Sequence, residues 1–147
     1  MVRLILASDH GGFELKEALK AHFAKIYQIT DVGCESADSV DFPVYVTRAI
    51  TELTKGQGGF AVLVCGSGIG VSMAANRFRG IRAALCHNEE YAQLAREHNN
   101  ANVLCLGGRF LDVEKAISIV NTFSNTKSLT NERYSKRNNL LDELVYE

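Results

Sequence analysis

Short apolar runs alternate along this chain with longer segments in which apolar residues recur at helical spacing. Five runs rich in Val, Ile and Leu predict β-strands, at residues 2–7, 27–33, 60–65, 81–86 and 102–106. Segments of helical period lie at about 12–25, 42–55, 71–78, 89–98 and 112–124, and a last one at about 132–145. Asp41, before Phe42-Pro43, and Asp112 stand where helix N-caps are expected.

Strand and helix alternate five times, which is typical of a parallel sheet covered by helices on both faces. The strands are apolar along nearly their whole length, as expected when both faces are buried. No internal repeat, low-complexity segment or linker divides the chain. The sequence therefore predicts one α/β domain over residues 1–147, with a five-stranded parallel sheet. The final helix has no strand after it and is expected to form an arm that can lie on a neighbouring molecule.

The balance of charged and apolar residues is typical of a soluble globular protein. The 147 residues carry a formal net charge of −1, with 46% hydrophobic and 22% charged positions, so no nucleic-acid or membrane partner is expected. The N-terminal apolar stretch is too short for a signal peptide, and we expect a cytoplasmic protein. Cys34, Cys65, Cys86 and Cys105 form no C-x-x-C pair and are expected to be reduced.

Polar or glycine-rich stretches follow four of the five predicted strands. They are residues 8–12, 65–68, 87–89 and 107–109. In open α/β sheets, ligands bind outside the carboxyl ends of the strands. The sequence therefore predicts a site at this edge of the sheet.

The stretch CGSGIG at residues 65–70 is the strongest candidate for chemistry. Its spacing does not fit a P-loop, and Val71 stands where the dinucleotide-binding pattern needs a third glycine. The glycines predict either an anion or oxyanion site or simply a tight turn. Cys65 is either a small buried residue or, because it faces a helix N-terminus, a thiolate able to act as nucleophile or base.

Two histidines stand out, and each has a structural alternative. Asp9-His10 follows the first strand, where Asp9 could also be an ordinary N-cap. His98 ends a helix, where it could cap carbonyl groups, and it opens the polar run 98–102 that suits recognition of hydroxyl groups. His22 and His87 are weaker candidates.

Arginines form the remaining candidates. Arg133 and Arg137 are spaced i, i+4 and so share one helix face, which is either solvated or a phosphate-binding surface. Arg109 follows Gly107-Gly108 at the end of another strand and could join them.

Five stretches occurring in order resemble the ribose-5-phosphate isomerase B family: Asp9-His10, CGSGIG (65–70), AANRFRGIRA (74–83), REHNNANVLCLGGR (96–109) and the ER-x-x-x-R of 132–137. That family also includes allose-6-phosphate isomerase and the subunits of galactose-6-phosphate isomerase. The resemblance covers essentially the whole chain. It implies a Rossmann-like three-layer α/β/α fold and a homodimer or tetramer whose active sites are shared between subunits. It also implies aldose–ketose isomerisation of a sugar phosphate without metal or organic cofactor.

The same resemblance implies a role for each candidate residue. Cys65 matches the base that moves a proton between C1 and C2 through a cis-enediolate, and His98 matches the acid that opens the furanose ring. The loop whose amides hold the enediolate oxygen corresponds to Gly66, Ser67, Gly68, Ile69 and Gly70. The positions that bind the sugar phosphate correspond to Asp9, His10, Asn99, Arg109, Arg133 and Arg137.

Three positions depart from the family pattern. Ser67 replaces a common threonine but keeps the hydroxyl, so a catalytic hydrogen-bonding or proton-shuttling role is still expected there. Tyr134 stands where many members have histidine, and Asn100 where an aspartate is common. Because Cys65, His98 and the arginine pair are all present, D-ribose 5-phosphate is the expected substrate. The alternative is a 6-phosphohexose such as allose or galactose 6-phosphate.

Overall fold

The computed structural model describes residues 1–144, and within them it forms a five-stranded sheet and six α-helices. The strands are β1 (Arg3–Ser8), β2 (Gln28–Asp31), β3 (Phe60–Cys65), β4 (Ala83–Leu85) and β5 (Val103–Gly107). The helices are α1 (Phe13–Phe23), α2 (Phe42–Lys55), α3 (Ile69–Ala75), α4 (Glu89–Asn99), α5 (Val113–Asn125) and α6 (Glu132–Asp142). All strands pair in parallel in the order β2-β1-β3-β5-β4, which confirms the predicted α/β class.

The sheet lies between two helical layers, and its strands alternate between them. On β3, Val62 and Val64 pack towards α1, α4 and α5, whereas Leu63 and Cys65 pack towards α2 and α3. Every residue of β3 is buried, because it is a central strand covered on both faces. This arrangement explains why the strands are continuous apolar runs, and it places the Cys65 side chain on the α2–α3 side.

The bounds of one helix differ from the sequence prediction, and one predicted N-cap makes no side-chain bond. Helix α3 begins at Ile69, not at 71, and ends at Ala75, because Gly68 with φ +78° turns the chain directly from strand into helix. Asp41 occupies the N-cap position of α2 but makes no side-chain capping bond, since the Val44 N–H already donates to the Asp41 carbonyl. Asp112 caps α5 as predicted and accepts from the Lys115 N–H at 2.7 Å.

Helix α6 forms an arm outside the three layers and buries none of its residues. It ends at Asp142, and the last position of the predicted helix, residue 145, lies outside the described residues. Asp142 accepts from Arg82 Nη1 at 2.7 Å, and Asn138 Nδ2 donates to the His98 carbonyl at 3.0 Å. The arm is therefore held by polar contacts to the end of α4 and the start of β4. None of the helices within residues 1–144 is long and apolar enough to cross a membrane.

A buried ion pair fixes α1 to the edge strand β2. The Lys16 side chain is fully buried, and its Nζ lies 2.7 Å from Asp31 Oδ2. Burial disfavours the charge on Asp31, but hydrogen bonds from Lys16, the Gly33 N–H and Lys20 outweigh it and lower the pKa of Asp31 from its ordinary value of 3.8. Because Gly33 and Cys34 then exchange hydrogen bonds with Ser8, this pair also anchors the segment that follows β2.

We expect Asp31→Asn to destabilise the protein by about 2 kcal/mol at pH 7, because it leaves the buried Lys16 with only the partly exposed Glu17 carboxylate as a charged partner. Since the pKa of Asp31 is lowered by folding, its stabilising effect is complete above the unfolded-state value and is lost as the pH falls through the folded-state value. The difference between wild type and variant should therefore shrink below about pH 4. Urea unfolding at fixed protein concentration from pH 3 to 7 measures both effects. Glu89→Gln, which breaks the exposed pair with Lys115, is the control and should change the free energy of unfolding far less than Asp31→Asn.

Candidate active site

The loops that follow β1, β3 and β5 are bonded to one another at the carboxyl edge of the sheet. The Gly108 N–H donates to the Cys65 carbonyl at 2.8 Å, and the Arg109 N–H donates to the Gly66 carbonyl at 3.0 Å. On the other side, the Asp9 N–H donates to the Val64 carbonyl at 3.2 Å. These bonds bring three of the predicted polar stretches into one continuous surface.

Cys65 is the last residue of β3 and is only 6% exposed. Its Sγ accepts a hydrogen bond from the Gly68 N–H at 3.1 Å. A backbone N–H directed at sulfur is a donor that a thiolate uses, so the loop geometry suits a charged sulfur at this position. Cys65 thus lies against the glycine loop, as the base hypothesis requires, and not only in the apolar core.

The other cysteines are held as inert thiols. Burial raises the pKa of the Cys86 thiol to about 11. Burial, and next the neighbouring Cys65 and Cys86, raises the pKa of Cys105 well above its usual value. Cys34 is buried, and its Sγ donates to the Ser36 carbonyl at 3.2 Å. All four cysteines are free and buried, and Cys65 alone among them lies at the glycine loop.

The glycine loop presents backbone donors beside this sulfur. The N–H groups of Gly66, Ser67 and Gly70 find no acceptor among residues 1–144. Ser67 Oγ accepts from the Ile69 N–H at 3.2 Å, which fixes its hydroxyl at the start of α3. Unpaired amides that converge next to a base can bind an oxygen on which negative charge develops.

Glycines lie where the three loops approach one another most closely. A Cβ on Gly66 would lie 2.9 Å from Arg109 Cζ, so the guanidinium rests directly over this backbone. A Cβ on Gly11 would lie 3.0 Å from the Gly66 nitrogen. The close packing of backbone on backbone keeps the amides of the loop near both Arg109 and Asp9-His10.

Asp9 and His10 lie on the β1 side of the same surface. Asp9 Oδ1 accepts from the Gly12 N–H at 3.2 Å, so the N-cap interpretation of Asp9 is correct as well. His10 Nδ1 accepts from the Val40 N–H at 3.2 Å. An accepting Nδ1 carries no proton, and His10 therefore donates through Nε2. The partner, Val40, gives no sign of this role in the sequence because the contact spans thirty positions.

The structure places the remaining predicted site residues at the opposite edge of the sheet. Helix α4 runs back from the carboxyl edge to the start of β5, so His98 and Asn99 lie beyond the amino ends of the strands. Cys65 pairs in register with Gly107, four residues after Val103, which at about 3.3 Å per residue is on the order of 13 Å along the strand. Within one chain Cys65 and His98 are therefore not brought together.

The second cluster is organised by the arm. The His98 imidazole and the Tyr134 ring stack with centroids 4.7 Å apart and planes 8° from parallel. Asn99 Nδ2 donates to Asn138 Oδ1 at 3.4 Å. Arg133 and Arg137 are both exposed on the arm, one turn apart, as their spacing predicts. Asn138 was missed from the sequence, although its i+4 spacing from Tyr134 places it on the same face of the helix.

A cavity of about 770 Å³ also opens at the amino edge, between residues 76–84 and the arm, with Asn99 in its wall. Two of its polar groups are engaged in structure, since Arg82 is bound to Asp142 and Asn76 is bound to the backbone of Ala83. The cavity contains neither Cys65 nor the glycine loop. We therefore place the candidate active site at the two polar clusters and not in this cavity.

The fold and these clusters define a three-layer α/β protein whose polar groups suit a small anionic ligand. The sequence model of the Ribose/Galactose Isomerase family matches residues 4–141. The chain is 37% identical over 124 residues to ribose-5-phosphate isomerase B of Escherichia coli, covering 84% of this chain and 83% of that protein. It is 39% identical over 144 residues to ribose-5-phosphate isomerase B of Mycolicibacterium paratuberculosis, covering 97% and 91%.

Solved structures agree. The crystal structure of a ribose 5-phosphate isomerase from Thermotoga maritima superimposes with a TM-score of 0.93 at 44% identity, covering 97% of this chain and 99% of that one. The type B ribose 5-phosphate isomerase of Trypanosoma brucei gives 0.89 at 34% identity, covering 97% of each chain. The chain belongs to the Ribose/Galactose Isomerase family, as its sequence motifs predict.

Proposed function

We propose that this protein is an aldose–ketose isomerase that interconverts D-ribose 5-phosphate and D-ribulose 5-phosphate. The observation that carries the proposal is the Cys65 sulfur seated against the glycine loop, beside backbone amides that are free to bind an oxygen. The relatives described above are ribose-5-phosphate isomerases, and no comparison favours the 6-phosphohexose alternative. This reaction places the enzyme in the pentose phosphate pathway.

The chemistry follows from the proton that has to move. Cys65, as thiolate, takes the proton from C2 of the open-chain aldose, and the electron pair moves towards the carbonyl oxygen to give a cis-enediolate. The amides of Gly66, Ser67 and Gly70 stabilise the negative oxygen, and Gly68 keeps the sulfur in place. The proton returns at C1, while a proton passes from the C2 oxygen to the C1 oxygen. The Ser67 hydroxyl is suited to assist that transfer. Over the whole reaction no proton or electron is gained or lost.

The furanose ring must open before this transfer, and the phosphate must be held throughout. His98 is the proposed acid for ring opening, and Asn99 lies beside it to bind hydroxyl groups. The His10 Nε2–H, Arg109, Arg133 and Arg137 supply the positive and donor groups for a phosphate dianion, with Asp9 next to the sugar. Binding energy from the phosphate, which does not react, positions C1 and C2 against Cys65.

The two clusters become one site in a homodimer. Because Cys65 and His98 lie at opposite edges of one sheet, a second copy has to supply the His98 cluster to each Cys65. Helix α3, directly after the glycine loop, exposes Ile69 and Met73 one turn apart, with exposures of 49% and 67%. This apolar face next to the active loop is where we expect the second copy to pack. A tetramer of two such dimers would contain the same shared sites.

A site that depends on a reduced thiol is suited to a reducing compartment, and a cytoplasmic location remains our prediction. The direct test of the function is an isomerase assay with ribose 5-phosphate, allose 6-phosphate and galactose 6-phosphate. We expect kcat/KM for ribose 5-phosphate to exceed the others by at least about tenfold and to survive EDTA, since a pocket discriminates such differences by a few kcal/mol at most. Absence of ribose 5-phosphate turnover would refute the substrate assignment. Faster turnover of allose or galactose 6-phosphate would identify that sugar phosphate as the substrate instead.

A further inference from the structure

The arm docks on the rest of the protein through a single stripe of residues. Tyr134, Asn138 and Asp142 follow one another at intervals of four, and each contacts the body of the protein: Tyr134 the His98 ring, Asn138 the His98 carbonyl, and Asp142 the Arg82 guanidinium. Residues so spaced lie on one helix face. Of these three contacts, only that of Tyr134 reaches the side chain proposed to open the sugar ring.

The geometry of the Tyr134–His98 contact fixes the imidazole plane. At 4.7 Å between centroids and 8° between planes, the rings form an offset parallel stack, a favoured arrangement for aromatic pairs. Arg133 holds the tyrosine in turn: its Nη2 donates to Tyr134 Oη at 3.2 Å, and its Cζ lies 4.9 Å from the ring centroid. The Asn138 bond to the His98 carbonyl stops the backbone from shifting beneath the stack.

We infer that Tyr134 is a positioning residue that holds the His98 imidazole in the orientation needed to protonate the ring oxygen of the sugar. The inference rests on the proposed function, because it concerns the acid of that reaction. A planar ring is therefore needed at position 134, whereas the phenol hydroxyl serves only to bind Arg133.

The expected result is a loss of kcat that a second ring restores. Tyr134→Leu should lower kcat for ribose 5-phosphate about tenfold and change KM less than kcat, because His98 loses its stack whereas Arg133 loses its contact with the tyrosine but keeps its guanidinium. Tyr134→Phe, which keeps the stack and loses only the bond to Arg133, should retain kcat within about twofold. The arm buries no residue, so both variants should fold with the melting temperature of wild type. Tyr91→Leu removes an exposed ring from α4, the helix that carries His98. It is the matched control and should be as active as wild type.

A double-mutant cycle with His98→Ala decides whether Tyr134 acts through His98. Open-chain sugar forms spontaneously in solution, so His98→Ala should keep a measurable residual rate. In that background, Tyr134→Leu should have no further effect on kcat. An equal loss in both backgrounds, or a rise in KM with kcat unchanged, would overturn the inference and leave Tyr134 a mere support for the arm. If His98→Ala itself had the kcat of wild type, the proposed acid would be wrong, independently of Tyr134.

Discussion

Replacing Cys65 with alanine is expected to lower kcat for ribose 5-phosphate by at least about 10³-fold while the protein keeps its fold. General base catalysis by one side chain contributes about 10²–10⁴-fold, and here no other group in the glycine loop can take the proton from C2. The side chain is small and lies at the end of β3, so its truncation leaves only a minor cavity. Stopped assays of ribulose 5-phosphate formation, together with circular dichroism and a melting curve, measure both parts of this prediction.

Two further variants separate the chemistry of Cys65 from its packing. Cys65→Ser keeps nearly the same volume but replaces the thiol by a hydroxyl that is far harder to ionise, so it should be almost as inactive as the alanine variant. Cys86→Ala removes a buried thiol on the opposite face of the sheet and should keep the kcat of wild type. A Cys65→Ala enzyme with more than about a tenth of wild-type kcat would rule out Cys65 as the base.

Mixing two impaired variants is expected to restore activity. In a shared site, a dimer of one Cys65→Ala subunit and one His98→Ala subunit contains one site with both defects and one site with neither. Random exchange of equal amounts makes half of the dimers mixed, so about a quarter of all sites are intact, and about a quarter of wild-type kcat should appear. If Cys65 and His98 of one chain formed one site, every site in the mixed dimer would carry a defect.

The control for this experiment is the same mixture assayed before subunits exchange. It should show only the average of the two variants, and activity should then rise with the rate of exchange. Sedimentation at the assay concentration establishes whether the exchanging species is a dimer or a tetramer. A mixture that never rises above that average, although exchange is demonstrated, would refute the shared site.

Much of the fold follows from patterns of short range. Runs such as 60–65 and 102–106 are apolar throughout because both faces of a parallel strand are buried, and the structure confirms all five strands. Errors fall at boundaries where one residue decides the geometry. Helix α3 starts two residues earlier than predicted because the left-handed conformation of Gly68 leaves no room for a longer loop.

The candidate site residues could be named from the sequence, but their arrangement in space could not. Cys65 and Arg109 were expected to lie together because both follow strands that end at the same edge. His98 precedes a strand, which by the same reasoning places it at the other edge. No pattern along one chain specifies which surface of a second molecule contacts the Cys65 cluster and which contacts the His98 cluster. The contact of His10 with Val40 was equally hidden, since it depends on how the loop after β2 folds back.

The way in which the arm is attached has a consequence for how this enzyme can change over evolutionary time. The proposed proton transfer uses loops that are bonded to the end of the sheet, where most substitutions would cost folding stability. The arginines proposed to bind the phosphate, Arg133 and Arg137, are carried on α6, which contributes nothing to the core and is held by a few polar contacts. Length and composition of the arm can therefore drift almost free of folding constraints. Selection can therefore change the position of these arginines to suit longer or shorter sugar phosphates, while the residues proposed for proton transfer stay unchanged.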